Sequence, residues 1–188
     1  MRTRNRILFI SILIILIGLL GGFSLIRHAH TPDFINLYFD SNLISLYIEP
    51  FFFILTTAEM VWLNPIRNYA IIRNQNHKIL TKLIALIILN WLLLYTSLLL
   101  PFMFLNKPFF ILGKINDGIF IVLIHIFIVL ILSLLLIKVY ESSNPYFLLF
   151  LVILIITTYH FSIEKRILLP LYSQFFDPLW RAKHHIYG

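Results

Sequence analysis

Two glutamates lie inside a stretch of the sequence that is otherwise apolar enough to cross a membrane. Glu49 and Glu59 both fall within residues 43–63, and ten residues of helix would set them about 80° apart around its axis. A carboxylate inside a bilayer is costly, so such a residue is first considered as a functional site. The alternative is that both lie near the ends of the span and pair with connector arginines at the membrane surface.

Each of the last two apolar stretches contains one histidine. His125 and His160 would lie about 10 Å and 5 Å from the same membrane surface, because the two spans run in opposite directions. Two imidazoles on neighbouring helices can ligate a haem iron. They can also form hydrogen bonds between helices or face a cavity. The sequence leaves haem as an alternative, and no cofactor is the favoured interpretation.

A second group of histidines falls on the predicted outer side. His28 and His30 precede Asp33, and the pair His184-His185 lies near the C-terminus. Imidazole and carboxylate groups together suit a metal ion, but short histidine pairs in loops are usually solvated, so we expect no metal. The chain has no cysteine, which excludes disulfides and thiolate chemistry. No serine, histidine and carboxylate set has the spacing of a hydrolase, so no catalytic residue is predicted.

The composition determines the class of protein that positions these groups. Of 188 residues, 60% are hydrophobic and 12% are charged, whereas soluble domains have about 25% charged residues. The mean hydropathy is +0.92. The net charge of +7 arises mainly from connectors and tails, as membrane topology requires, and no basic, aromatic-interleaved stripe suggests nucleic acid. We therefore predict an all-α, polytopic integral membrane protein with the lipid bilayer as its surroundings.

Five stretches are long enough to cross the bilayer. A hydrocarbon core of about 30 Å needs about 20 helical residues, and every backbone polar group within it must be satisfied by helix formation. Proline-containing connectors separate the stretches, and Pro101 is predicted to end the third. Residues 167–188, rich in aromatics and containing two prolines, are predicted to form an interfacial or re-entrant segment. The chain is then a single membrane domain with spans at about 7–26, 43–63, 79–100, 118–137 and 146–163.

The basic residues indicate an orientation. The N-terminal tail and the first connector carry three and one Lys or Arg residues, and the second connector together with Lys82 at the start of the third span carries four. These counts alternate as expected if the N-terminus is cytoplasmic. The whole count, eight inside against seven outside, gives no bias, because four of the seven lie in the C-terminal tail. That tail is either external, which we favour, or returned inward by a re-entrant segment. We predict a multi-pass cell-membrane protein with a cytoplasmic N-terminus.

The second connector, residues 64–78, is a polar and basic segment between two long apolar stretches. Asn64-Pro65 is typical of a helix start, which predicts a short helix through Ile72, and Asn74-Gln75-Asn76 should end it. The alternative is an ordinary positively charged loop.

The order of these elements resembles the beginning of ABC-2 type permeases, in particular small subunits from Gram-positive peptide export and immunity transporters. The resemblance rests on Asn64-Pro65-Ile66-Arg67, Ile72-Arg73-Asn74 and Leu80-x-Lys82-Leu83, and extends roughly over residues 7–163. It implies that the connector docks on a cytosolic ATP-binding subunit. The residues implied in docking are Arg67, Tyr69 and Arg73, with Glu59 anchoring the connector. The family has six spans, whereas this chain has five.

The leading functional prediction is therefore a non-catalytic transporter subunit that couples a cytosolic ATPase to export or clearance of an apolar or amphipathic substrate, together with other membrane subunits. One alternative is a haem- or metal-holding subunit of a redox complex, with His125 and His160 as ligands. Another is a small structural or assembly subunit of a larger membrane complex.

Overall fold

The computed structural model describes residues 2–27, 33–65, 67, 76–142, 144–177, 180 and 182. Within these ranges the chain is helical, with no strand, and five helices are long and apolar enough to cross a membrane. The predicted helical membrane bundle is confirmed. In chain order the helices are α1 (Arg2–Arg27), α2 (Ile44–Leu63), α3 (Asn76–Phe104), α4 (Ile115–Tyr140) and α5 (Pro145–Tyr172).

α3 and α5 extend furthest beyond their predicted ends. α3 continues through Pro101 to Phe104, because the Pro101 carbonyl still accepts a hydrogen bond from the amide of Leu105 at 3.1 Å. α5 continues to Tyr172, where the sequence predicted an end at 163. Its 28 residues are about 42 Å long, more than the hydrocarbon thickness. The segment predicted to begin at 167 therefore starts after Tyr172, with a short 3₁₀ turn at Gln174–Phe176.

Three stretches of π-helix occur in the described part of the chain, and all belong to one end of the bundle. They are Asn36–Asp40 in the first connector, Ile44–Ile48 at the start of α2, and His160–Leu168 within α5. π-Helical turns are uncommon and frequently occur at functional sites, because the extra residue per turn redirects the side chains. This end of the bundle, called the Asp33 end below, also contains the described part of the first connector.

The buried and lipid-facing sides of α4 and α5 follow helical periodicity. On α4, Ile121, His125, Val129 and Leu132 are buried, whereas the aromatic and aliphatic residues on the other side are exposed. On α5 the buried residues recur every four positions, through Val152, Ile156, His160, Glu164 and Leu168. Polar groups therefore share the inward faces of both helices with aliphatic residues, and the outward faces suit lipid tails.

α1 packs most closely on α3, and glycine allows the approach. A Cβ atom built on Gly22 would lie 2.5 Å from the carbonyl oxygen of Leu98, and one built on Gly18 would lie 2.9 Å from the carbonyl oxygen of Leu94. Small residues commonly allow such backbone contact between membrane helices.

We expect Gly22→Ala to destabilise the bundle by about 1–3 kcal/mol, because a methyl group cannot fit against a carbonyl without moving α1 away from α3. Gly21→Ala is the matched control, since its Cβ would meet the flexible side-chain ends of Ile48 at 3.1 Å and Ile44 at 3.9 Å, and no backbone atom among its three nearest contacts. Thermal unfolding in detergent measures both. Equal melting temperatures for the two variants would contradict this account of the α1–α3 contact.

Candidate functional site

Four ionisable side chains form a continuous buried cluster near the Asp33 end of the bundle. His125 lies at its centre, with Nε2 2.5 Å from Oε1 of Glu49 and Nδ1 in contact with Oε1 of Glu164. The other oxygen of Glu164, Oε2, lies 2.7 Å from Nδ1 of His160. All four side chains are at most 1% exposed. We call Glu49, His125, Glu164 and His160 the Glu–His cluster.

Three helices position the cluster, and two of them, α2 and α5, do so through π-helical stretches. Glu49 directly follows the π turn that opens α2 and faces inward with the rest of the buried face of that helix. His160 and Glu164 are four residues apart within the π-helical stretch of α5. His125 lies ten residues into α4, about 15 Å from its start. The cluster therefore joins α2, α4 and α5 at a depth where the outer faces of the helices are apolar.

Aromatic rings enclose His125. Tyr38 and Phe39 from the first connector meet the imidazole edge-on at centroid distances of 5.1 and 5.3 Å, and Tyr95 of α3 approaches at 6.5 Å. The hydroxyl of Tyr38 donates to Oε1 of Glu49 at 3.4 Å. Burial raises the pKa of Tyr38 well above its ordinary value, and neighbouring Tyr95 and Glu49 raise it further, so the hydroxyl stays protonated. Such a dry, low-dielectric enclosure strengthens the ionic contacts inside it.

The contacts themselves fix where protons must be. An ionised carboxylate only accepts hydrogen bonds, and a neutral imidazole has one donor. His125 contacts carboxylates through both ring nitrogens, so both contacts are hydrogen-bonded only if His125 is an imidazolium or one glutamate is protonated. In either case the cluster holds a proton beyond those of two neutral histidines and two carboxylates.

One end of the cluster reaches the surface. Nε2 of His160 lies 3.4 Å from Oδ1 of Asn42, which is exposed in the first connector. Lys165 donates to the same oxygen at 2.8 Å and to the carbonyl of Asp40 at 2.7 Å. The other end is closed, since Oε2 of Glu49 is buried and has no hydrogen-bond partner among the described residues.

Asp33 forms a separate buried polar site at the same end. Its Oδ2 accepts hydrogen bonds from the amides of Ile111 and Leu112 at 2.7 and 2.8 Å and from the hydroxyl of Tyr172 at 2.7 Å. Its Oδ1 accepts from the amide of Asn36 at 3.0 Å. The carboxylate thus joins the first connector, the connector before α4 and the end of α5. Both oxygens serve this structural role, and the proposed metal partners His28, His30, His184 and His185 lie outside the described residues.

Glu59 forms a third polar contact, toward the other end of α2. Its Oε2 accepts from Nδ2 of Asn90 on α3 at 2.7 Å, and the amide oxygen of Asn90 accepts from Ser11 of α1 at 3.2 Å. Both α2 glutamates are 1% exposed, and their hydrogen bonds join them to helices and to Tyr38. The alternative, in which they lie at the membrane surface and pair with connector arginines, does not match their burial, and their described hydrogen-bond partners all lie within the bundle.

The second connector is described only in part. Nη1 of Arg67 donates to the carbonyl of Glu141 at 3.0 Å, which joins the end of α2 to the connector between α4 and α5. Tyr69 and Arg73, the other two residues predicted to dock a partner, lie outside the described residues. Docking at this surface stays a prediction.

The two membrane histidines do come together, as the haem hypothesis required, but through a shared carboxylate. Glu164 lies between His125 and His160, and both nitrogens of His125 contact glutamates. Within the ranges that the structure describes, no group of three or more His, Asp or Glu side chains has an arrangement suited to a metal ion. The haem hypothesis stays a prediction that these contacts do not favour.

Sequence reasoning missed Glu164, Tyr38 and Asn42. Glu164 is followed by Lys165 and Arg166, and the predicted fifth span ends at residue 163, directly before it. The available signal was its spacing of four residues from His160, which places both on one helical face. Tyr38 and Asn42 lie in a connector, where nothing in the local sequence identifies a contact with α2 or α5.

The fold and the cluster define a class: a multi-pass helical membrane protein with a buried, hydrogen-bonded Glu–His cluster that joins three helices and a connector. No protein-family model, curated protein or solved structure matches the chain.

Proposed function

We propose that the chain is the membrane-spanning subunit of a transporter of apolar or amphipathic substrates, and that the Glu–His cluster is the element that changes between its conformational states. The observation that carries the proposal is the cluster itself, four fully buried ionisable groups within an apolar bundle. Ionisable groups inside membrane proteins are characteristic of substrate and ion pathways.

The position of the cluster supports this role. It joins α2, α4, α5 and, through Tyr38 and Asn42, the first connector. Buried ion pairs rarely add net stability over apolar packing, because desolvation offsets much of their attraction. A cluster that contributes little stability but joins several segments is suited to hold one arrangement of them and to release it when its charge changes.

The energy source in this proposal is a cytosolic ATPase, as the resemblance of the second connector implies. The protein would lie in the cell membrane with its N-terminus in the cytoplasm, so that Arg67, Tyr69 and Arg73 face the ATP-binding subunit. Arg67 is held near Glu141, at the end of the bundle opposite the Glu–His cluster, and α2 and α4 connect the two regions.

We expect the double variant Arg67→Glu and Arg73→Glu to reduce co-purification of an ATP-binding subunit in mild detergent by about tenfold or more, since reversing charges at a docking surface creates repulsion. Export of a fluorescently labelled amphipathic peptide by intact cells should fall with it.

The matched control is Lys114→Glu with Arg166→Glu, two exposed residues near the Asp33 end, which should leave assembly intact. Unchanged assembly and export in the Arg67 and Arg73 double variant would contradict the docking role. A purified complex that contains no ATPase would contradict the proposed energy source.

A further inference from the structure

We propose that the Glu–His cluster is a proton-exchange site that opens to one membrane surface through His160. The biological role of this site rests on the proposed transporter function. In that role, uptake and release of a proton accompany the conformational change of the transporter. Its chemistry rests on the contacts of the cluster alone.

The number of protons in the cluster decides its charge. Three contacts link the four side chains, Glu49 to His125, His125 to Glu164, and Glu164 to His160. Each contact needs one proton, and the contact of His160 Nε2 with the oxygen of Asn42 needs a fourth. Two neutral histidines hold only two ring protons, so four protons make both histidines imidazolium ions with a total charge of +2. The two carboxylates carry −2, and the cluster is therefore electrically neutral.

The fourth proton is the one that can exchange. The three inner protons lie between buried atoms, whereas the fourth lies on Nε2 of His160 beside exposed Asn42. Release breaks the Nε2–H bond and passes the proton to water at the Asn42 surface. The imidazole becomes neutral and keeps its Nδ1–H bond to Glu164. Uptake is the reverse of this step, and no other group has to change its protonation.

The other polar groups around the cluster favour this single exit. Tyr38 from the connector, Tyr95 from α3 and Tyr159 from α5 are buried phenols that enclose it. Glu59 lies ten residues further along α2, about 15 Å away, and has its own partner in Asn90. Among the described residues, Lys165 is the cation that is hydrogen-bonded at the exit, because it shares the Asn42 oxygen with His160.

Release of the proton changes what holds the helices together. The cluster then carries one net negative charge, and among the described residues the cation at its surface end is Lys165, which contacts it through the Asn42 oxygen. A net charge in a low-dielectric interior is costly, so this state favours separation of α5 and the first connector and hydration of the cluster. Proton uptake restores the neutral, closed arrangement, which gives the two states that a transport cycle needs.

The test is nitrogen NMR on the full chain in lipid bilayers, with ¹⁵N in the histidine rings. Across a pH series from about 5 to 8, the range in which histidine changes charge, we expect His160 to change protonation at Nε2 alone and to keep its Nδ1 proton. His160→Gln assigns its signals by their loss. The matched control is His77→Gln at the exposed start of α3, which should remove one other histidine signal and leave the His160 transition unchanged.

The direction of access is tested in vesicles that contain the protein in one orientation. A pH change on the surface that carries Asn42 should alter the His160 signal, and a change on the opposite surface should not. A His160 ring whose protonation is constant over this range, or that responds only to the opposite surface, overturns the exchange site and leaves the transporter proposal standing. An exchanging His160 in a protein that exports no peptide overturns the transporter proposal alone.

Discussion

Replacing Glu164 by leucine is expected to lower the free energy of unfolding by about 3–5 kcal/mol, the effect of removing one partner from a buried ionic contact. Glu164 is the shared acceptor of His125 and His160. Leucine leaves both imidazoles facing a hydrocarbon side chain, and the remaining Glu49 and His125 pair carries the full desolvation cost. Thermal unfolding in detergent, followed by circular dichroism, measures the loss.

A quadruple variant, called the fourfold variant below, separates the effect of the cluster on stability from its effect on function. Changing Glu49 and Glu164 to methionine and His125 and His160 to leucine removes every charge of the cluster at similar volume. Such apolar replacements of buried ionic groups are often neutral or stabilising, so the melting temperature should return to the wild-type value or exceed it. Peptide export should nevertheless be lost, because no group of the Glu–His cluster remains whose charge can change.

The control for this series is Glu141→Gln. The carboxylate of Glu141 forms an exposed contact with Lys138 at 3.9 Å, and its backbone carbonyl, which accepts from Arg67, is unchanged by the substitution. Such surface pairs contribute little, so stability should change by less than about 0.5 kcal/mol. If Glu164→Leu were as mild as this control, the contacts of the cluster would not be holding the helices. If the fourfold variant exported peptide normally, the cluster would not be the switching element.

The sequence was sufficient for the number of spans and for the presence of charge within α2. Apolar length and the need to satisfy every backbone group leave few alternatives to five helices, and a carboxylate inside such a stretch is visible from the sequence alone. It was not sufficient for the partners of these groups. Glu49 and His125 are 76 residues apart, and no local pattern determines which helices become neighbours.

The end of α5 was the hardest boundary to predict. Glu164, Lys165 and Arg166 resemble the polar border of a span, and hydropathy places the membrane surface there. The helix continues because Glu164 is satisfied by two histidines and Lys165 extends to the first connector. The charge that normally ends a span is thus neutralised by contacts that depend on the tertiary structure.

Asp33 is the second residue whose replacement should have a large effect. Its four hydrogen-bond donors come from three segments. Two of these segments are distant in sequence, since Ile111 is 78 residues and Tyr172 is 139 residues from Asp33. The carboxylate is fully buried, so its loss leaves the amides of Ile111 and Leu112 without an acceptor. Each buried donor left unsatisfied costs about 1–3 kcal/mol.

We therefore expect Asp33→Leu to destabilise the protein by about 3–5 kcal/mol and to release the segments that it joins. Tyr172→Phe removes only one of the four donors and should cost about 1 kcal/mol. Asp40→Asn is the matched control, because that carboxylate is exposed in the same connector.

Hydrogen–deuterium exchange measures the release of these segments. It should be fastest at residues 109–114 and 169–177 in Asp33→Leu, slower in Tyr172→Phe and slowest in Asp40→Asn. Equal protection of these residues in all three variants would contradict the role of Asp33 in holding the Asp33 end closed. If faster exchange is confined to residues 109–114 and 169–177, the effect of Asp33 lies in these segments and not in the Glu–His cluster.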